Sequence, residues 1–174
     1  MNLVKGERTL HILLVASVAA LAFVLADSMR DKTIRVGDRA PDFNVRTENG
    51  LTVGRSAHGG KLLVLNFWAT WCPPCIEETP SLNAFTRAYR DKGVVVLGIS
   101  VDKNETKYKN FLKRFNVAFL AARDPEGKIS GEYGTYIYPE SYIIDREGRV
   151  VQKIIGKTDW TDPNLTAFID GLLR

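Results

Sequence analysis

Cysteine and histidine are scarce in this sequence, two of each among 174 residues. A structural zinc site takes four such ligands. His11 lies in an apolar run and His58 in a loop, so neither makes a second ligand pair for the cysteines, and this argues against a metal centre. No cysteine stands near the end of the N-terminal apolar run, which excludes a lipid-anchored start. Lysines and arginines are scattered, with no cluster interleaved with aromatics of the kind that tracks a phosphate backbone, and this argues against nucleic-acid binding. Internal repeats and low-complexity tracts are also missing. What remains is one ordinary globular domain, 45% hydrophobic and 25% charged over the chain, with a net charge of +4.

What is present begins with Leu10 to Ala26, 17 residues without a formal charge, preceded by Lys5 and Arg8. At about 1.5 Å per residue such a helix is near the lower limit for crossing a bilayer. Two readings compete. Val24-Leu25-Ala26 offers small or aliphatic residues where a signal peptidase reads, but the run exceeds the ~7 to 15 residues usual in a signal peptide, which favours an uncleaved signal-anchor over residues 1–26. A buried core helix fits poorly, because the run is apolar on all sides. With Lys5 and Arg8 kept inside, both leading readings export everything after Ala26. The expected location is the cell membrane, single-pass, with the remainder extracytoplasmic on the periplasmic side, or released into that compartment if the N-terminus is cleaved. Residues 27–36, polar and mixed in charge, read as a tether, and 37–174 as the folded domain.

Within that domain, Phe43 to Val53 reads as two short strands around Glu48-Asn49-Gly50, since Asn-Gly between extended stretches is a strong hairpin signal. Residues 55–60 read as a loop. The apolar run from Leu62 to Phe67 and the stretch Val94 to Val101 fit strands covered on both faces. Helical spacing recurs from Pro73 to about Arg90 and from Glu105 to Phe115, and Val117 to Ala121 reads as a short strand. A turn at Asp124-Pro125-Glu126-Gly127 leads into a short helix ending near Tyr133-Gly134. Ser141 to Asp145 and Val150 to Ile155 form a hairpin, and Asp162-Pro163-Asn164 starts a terminal helix through Leu173. Helices alternating with covered strands call for an α/β sheet packed on both faces, made mixed by the final hairpin.

The two cysteines stand three residues apart, in Trp71-Cys72-Pro73-Pro74-Cys75, at a strand-to-helix junction. There Cys72 meets unpaired backbone N–H groups and the positive end of the helix dipole, both of which favour its thiolate. Such settings lower a thiol pKa to about 3.5 to 7.5, which makes Cys72 the attacking sulfur. Pro73 follows where its missing N–H costs nothing. Cys75, one turn on, is placed to resolve the mixed disulfide. A purely structural bridge is the rival reading, and it is weak, because so short a loop constrains little of the unfolded chain. On the same helix Cys75, Glu78, Thr79, Leu82 and Phe85 share one stripe, so Glu78 is an acid on an otherwise inward face, while Glu77 points elsewhere.

The segment from Asn66 to Cys75, Asn-Phe-Trp-Ala-Thr-Trp-Cys-Pro-Pro-Cys, with Pro80 further along the helix, resembles the active-site segment of thioredoxins. It resembles most specifically that of the TlpA/ResA/CcmG-like exported thiol-disulfide oxidoreductases, within the wider AhpC/TSA-Redoxin group. Ala40-Pro41-Asp42-Phe43 is similar to the opening of that family's N-terminal hairpin, Tyr138-Pro139-Glu140-Ser141 to its cis-proline loop, and Glu105 to Ala121 to its inserted helix-strand unit. The resemblance implies a thioredoxin fold, with a central mixed sheet and helices on both faces. It places an active-site acid at Glu78, and a substrate groove about Trp71, Pro73, Pro74, Tyr138 and Pro139, with Glu140 as an acidic rim or simply solvated. Where thioredoxins keep a buried Asp, this chain has Asn66, which cannot titrate.

The implied activity is disulfide reduction through Cys72 and Cys75, with no bound cofactor. Protein disulfides such as that of apocytochrome c are the implied clients, and a membrane electron donor of DsbD or CcdA type the implied supplier. An oxidase, isomerase or redox-homeostasis protein using the same cysteines is an alternative, and a redox-inert thioredoxin-fold binding module a second. A copper-delivery relative would space its cysteines by three residues and add a distant histidine, and neither feature is present.

Overall fold

A computed structural model describes residues 3–28, 33–54 and 61–174, with the side chains of the first helix placed over 11–25. The chain divides into two compact units, Met1–Lys32 and Thr33–Arg174. The first holds helix α1 (Leu3–Ser28), whose large apolar side chains from Ile12 to Leu25 are exposed. Among the described residues no helix is long and apolar enough to cross a membrane, so the anchor reading rests on the sequence. The loop expected over 55–60, with His58, lies outside the described residues.

In chain order the second unit runs β1 (Asn44–Arg46), β2 (Thr52–Gly54), β3 (Leu62–Trp68), α2 (Pro73–Tyr89), β4 (Val94–Ser100), α3 (Glu105–Arg114), β5 (Leu120–Arg123), α4 (Lys128–Glu132), β6 (Glu140–Ile144), β7 (Val150–Ile155) and α5 (Pro163–Leu172). Strand β3 organises it. All seven of its residues are buried. Successive strand side chains point to opposite faces, so Leu62, Val64 and Trp68 enter one core layer while Leu63, Leu65 and Phe67 enter the other. That two-sided burial is why the run reads as continuously apolar.

The sheet order is β5-β4-β3-β6-β7, parallel from β3 to β5 and antiparallel from β3 to β7. Side chains of α2, α3 and α5 fill the first layer. The β1–β2 hairpin and Tyr133, at the end of α4, help fill the second. This is the thioredoxin fold expected from the sequence, with its hairpin and its inserted helix-strand unit.

Two boundaries differ from the expectation. The folded unit starts before Gly37, because the Ile34 N–H donates to the Tyr133 carbonyl and the Ile34 side chain packs on the second core layer. The inserted strand is Leu120–Arg123, not Val117 to Ala121. Helix α3 ends in a Schellman arrangement: Asn116 has φ 46, its N–H reaches the Lys113 carbonyl, and that of Val117 reaches Leu112. The Asn83 side chain on α2 then accepts from Ala118 N–H and donates to the Phe115 carbonyl. Backbone groups satisfied by an asparagine in this way delay pairing with β4 until Leu120 meets Leu97.

Candidate active site

Strand β3 delivers the chain through Ala69, Thr70 and Trp71 to the N-terminus of α2. Cys72 is the N-cap, extended at φ −99 and ψ 105, and Pro73 takes the first helical position. Cys72 and Cys75 form a disulfide with Cα atoms 5.3 Å apart. Cys72 is 4% exposed and Cys75 3%, so exposure does not rank the two sulfurs, whereas helix position does. The Cys75 N–H points at Cys72 Sγ from 3.3 Å, and this donor favours a Cys72 thiolate once the bridge opens. Opposing it, the Tyr138 carbonyl oxygen lies 3.4 Å from the same sulfur. A disulfide sulfur has no proton to give, so that contact becomes a hydrogen bond only for the protonated thiol.

An apolar collar surrounds the bridge. Trp71 is 63% exposed and meets the Tyr138 ring edge-on at 6.0 Å. Tyr136 and Ile137 are exposed, as are Pro73 and Pro74. The Tyr138–Pro139 peptide is cis, with Pro139 buried beneath the collar. Large exposed apolar side chains gathered around a reactive group mark a surface that receives another molecule.

Beneath the bridge lies an acid. Glu78, 2% exposed, sits one turn after Cys75 on the inward stripe of α2. Its carboxylate accepts a hydrogen bond from Trp160 Nε1, and the Thr158 backbone and the Asn66 side chain also bond to it. Burial nevertheless outweighs these donors and pushes the pKa from 4.5 up to about 7. Asn66, on the same face of β3, also donates to Ser141 Oγ at 2.8 Å, tying the acid's floor to the strand after the cis-proline.

On the other flank Asp102, buried just past β4, holds the turn before Cys72. Its carboxylate accepts from Thr70 N–H at 2.8 Å, from Thr70 Oγ1 at 2.7 Å and from Ser100 Oγ at 2.6 Å.

Comparison with known proteins agrees with this geometry. The model of the AhpC/TSA family matches residues 36–153. The chain belongs to the AhpC/TSA family. It is 37% identical over 148 residues to the thiol-disulfide oxidoreductase ResA of a Bacillus cereus strain, covering 84% of this chain and 86% of that one. It is 36% identical to the thioredoxin-like protein YneN of Bacillus subtilis, covering 73% of this chain and 75% of that one. Among solved structures it superposes on one described as the thiol:disulfide interchange protein DsbE from Chlorobium tepidum. That match has a TM-score of 0.75 and 32% identity, and covers 82% of this chain and all of the other. With its cysteine pair in place, this AhpC/TSA-family chain is a thiol-disulfide oxidoreductase.

Most residues singled out from sequence converge on one end of this AhpC/TSA-family sheet: Cys72, Cys75, Trp71, Pro73, Pro74, Tyr138 and Pro139 frame the bridge, and Glu78 lies below it. Glu140 does not join them. Expected as an acidic rim or a solvated side chain, it is 3% exposed and ion-paired to Lys153 at 2.8 Å. The reason is its place in β6, which pairs with strands on both sides, so that Glu140 shares the inner face of Tyr142 and Ile144. Trp160 and Asp102 carried no sequence signal of a role. Trp160 lies in an irregular stretch between β7 and α5, 82 residues from the acid it touches.

Proposed function

We propose that this oxidoreductase is a membrane-anchored, extracytoplasmic protein-disulfide reductase. Reduced Cys72 attacks a client disulfide, and one client thiol leaves. Cys75 then attacks Cys72 Sγ, the second client thiol leaves, and two electrons have passed to the client as the Cys72–Cys75 bridge closes. The observation that carries this reading is the cysteine pair at the mouth of α2, ringed by exposed Trp71, Pro73, Pro74, Tyr136 and Ile137.

Glu78 serves as the proton acceptor for Cys75. With a pKa near 7, its carboxyl is poised to take a proton at neutral pH, which is the requirement for general base work. Its negative charge also raises thiol pKa values by like-charge repulsion. The exposed Tyr136 and Ile137 just before cis-Pro139, with the Tyr138 backbone, support pairing with an extended client segment.

The uncharged run after Lys5 and Arg8 supports export with the N-terminus held inside. In an oxidising compartment a dithiol stays reduced only if electrons cross the membrane to it. A donor of DsbD or CcdA type meets that need, and apocytochrome c, whose cysteines are reduced before haem attachment, is a fitting client; similarity to proteins named thiol-disulfide oxidoreductase and thiol:disulfide interchange protein supports the exchange itself. No bound cofactor is needed for any of these steps.

Equilibration of the full-length protein with a glutathione series tests the direction. A potential nearer thioredoxin's, about −270 mV, than DsbA's, about −120 mV, is the expected result, and a DsbA-like value overturns the reductase assignment.

A further inference from the structure

Beside the bridge, on the flank away from cis-Pro139, a cavity of about 360 Å³ opens between the start of α2 and α3. Thr70, two residues before Cys72, and Ile76, directly after Cys75, form the wall nearest the sulfurs, while Phe111 and Phe115 supply an aromatic wall. Two cations, Lys107 and Arg114, also line it. The volume lies in the range of sites that take a small ligand or a few side chains.

The charges at this cavity are unbalanced. Helix α3 carries Lys107, Lys109, Lys113 and Arg114 against one acid, Glu105. That acid is already committed, to Lys109 and to Arg123. Among the described residues neither Lys107 nor Arg114 has an acidic side chain within ion-pair distance. Arg114 stacks its guanidinium over the Phe115 ring at 5.4 Å, so one apolar surface and one cation are presented together.

Building on the reductase reading, we propose that this cavity is a specificity site for the client polypeptide: it takes an apolar side chain that has a carboxylate beside it, a few residues from the client's reactive cysteine. The apolar side chain enters between Ile76, Phe111 and Phe115, and the carboxylate meets Lys107 and Arg114. Charge complementarity selects this occupant, because a neutral or basic segment leaves both cations uncompensated. The site lies on the opposite side of the sulfurs from the cis-proline loop, so a client is gripped on both flanks of its disulfide. The chemistry is the balanced exchange already given: the client disulfide becomes two thiols and the protein's dithiol becomes the Cys72–Cys75 bridge.

The test uses the full-length protein, reduced, against disulfide-bridged peptides that differ at one position beside a phenylalanine, glutamate in one series and lysine in the other. The phenylalanine is stepped through several distances from the cysteine. Hydroxyethyl disulfide, small and neutral, reads the dithiol alone. The expected result is several-fold higher kcat/KM for a glutamate peptide, expressed through KM and narrowing at high salt. In the Lys107→Glu/Arg114→Glu protein this preference should reverse while the rate on hydroxyethyl disulfide stays unchanged.

Equal rates for the two series at every spacing, or a preference that survives the double substitution, overturns the site. A preference that appears only as protein concentration rises also overturns it, in favour of a second copy of the chain as the occupant. Failure on hydroxyethyl disulfide by both proteins instead overturns the reductase reading on which the site rests.

Discussion

Glu78 is where opposing forces are most evenly matched. Three hydrogen bonds favour its charged form, yet burial dominates and lifts its pKa from 4.5 to about 7. The folded protein therefore keeps a proton that the unfolded chain gives up between those two values. Stability contributed by this group is complete below about pH 4.5, declines as pH rises, and is lost above about 7, a difference of about 3 kcal/mol. Glu78→Gln should remove that slope. Urea midpoints of the oxidised wild-type and variant proteins, compared across the same window, check it, and parallel curves would contradict the assignment. Asp102 makes a second case. Asp102→Ala leaves the Thr70 N–H and two hydroxyls without their acceptor, at a cost of about 1–3 kcal/mol. It should also slow exchange by releasing the turn before Cys72. Asp102→Asn, which keeps one acceptor oxygen, should recover part of both losses in denaturant melts and in the rate of hydroxyethyl disulfide reduction.

Among the elements, β4 has little room where it passes the rings of Trp68 and Phe119. Gly98 lies beside Asn66 in register, and a Cβ there would stand 2.5 Å from the Phe119 ring and 2.9 Å from Trp68 Nε1. Gly98→Ala should destabilise the protein by about 1–3 kcal/mol through overpacking, read as a lowered denaturation midpoint with an unchanged slope. A neutral result would mean that the rings move aside freely. Elements whose determinants are local were legible in the sequence. The β1–β2 hairpin follows from Asn49-Gly50, α5 from its Asp162 cap and Pro163, and β3 from an apolar run that two core layers require. Elements set by a distant partner were not. The start of β5 depends on Asn83, some 35 residues earlier, and the burial of Glu140 depends on Lys153 across the β6–β7 pair. The same division holds in the site. The cysteines, the cis-proline and the inward Glu78 are written in spacing and motif, while Trp160 and Asp102 acquire their roles only when the chain closes.

At the scale of the whole molecule, Thr33–Arg174 encloses both core layers and every residue of the site. A protein of residues 33–174 should therefore unfold at the same denaturant concentration as the full chain and retain its rate on hydroxyethyl disulfide. A lowered midpoint would show that the first unit contributes to the fold. Exchange depends on an order of events at two sulfurs, with Cys72 at the helix mouth reacting first and Cys75 second. Competitive alkylation of the reduced full-length protein at neutral pH, followed by mass analysis of the two modified peptides, measures that order directly. Modification of Cys72 at least about tenfold faster than Cys75 is the predicted result; equal rates, or Cys75 reacting first, would contradict it.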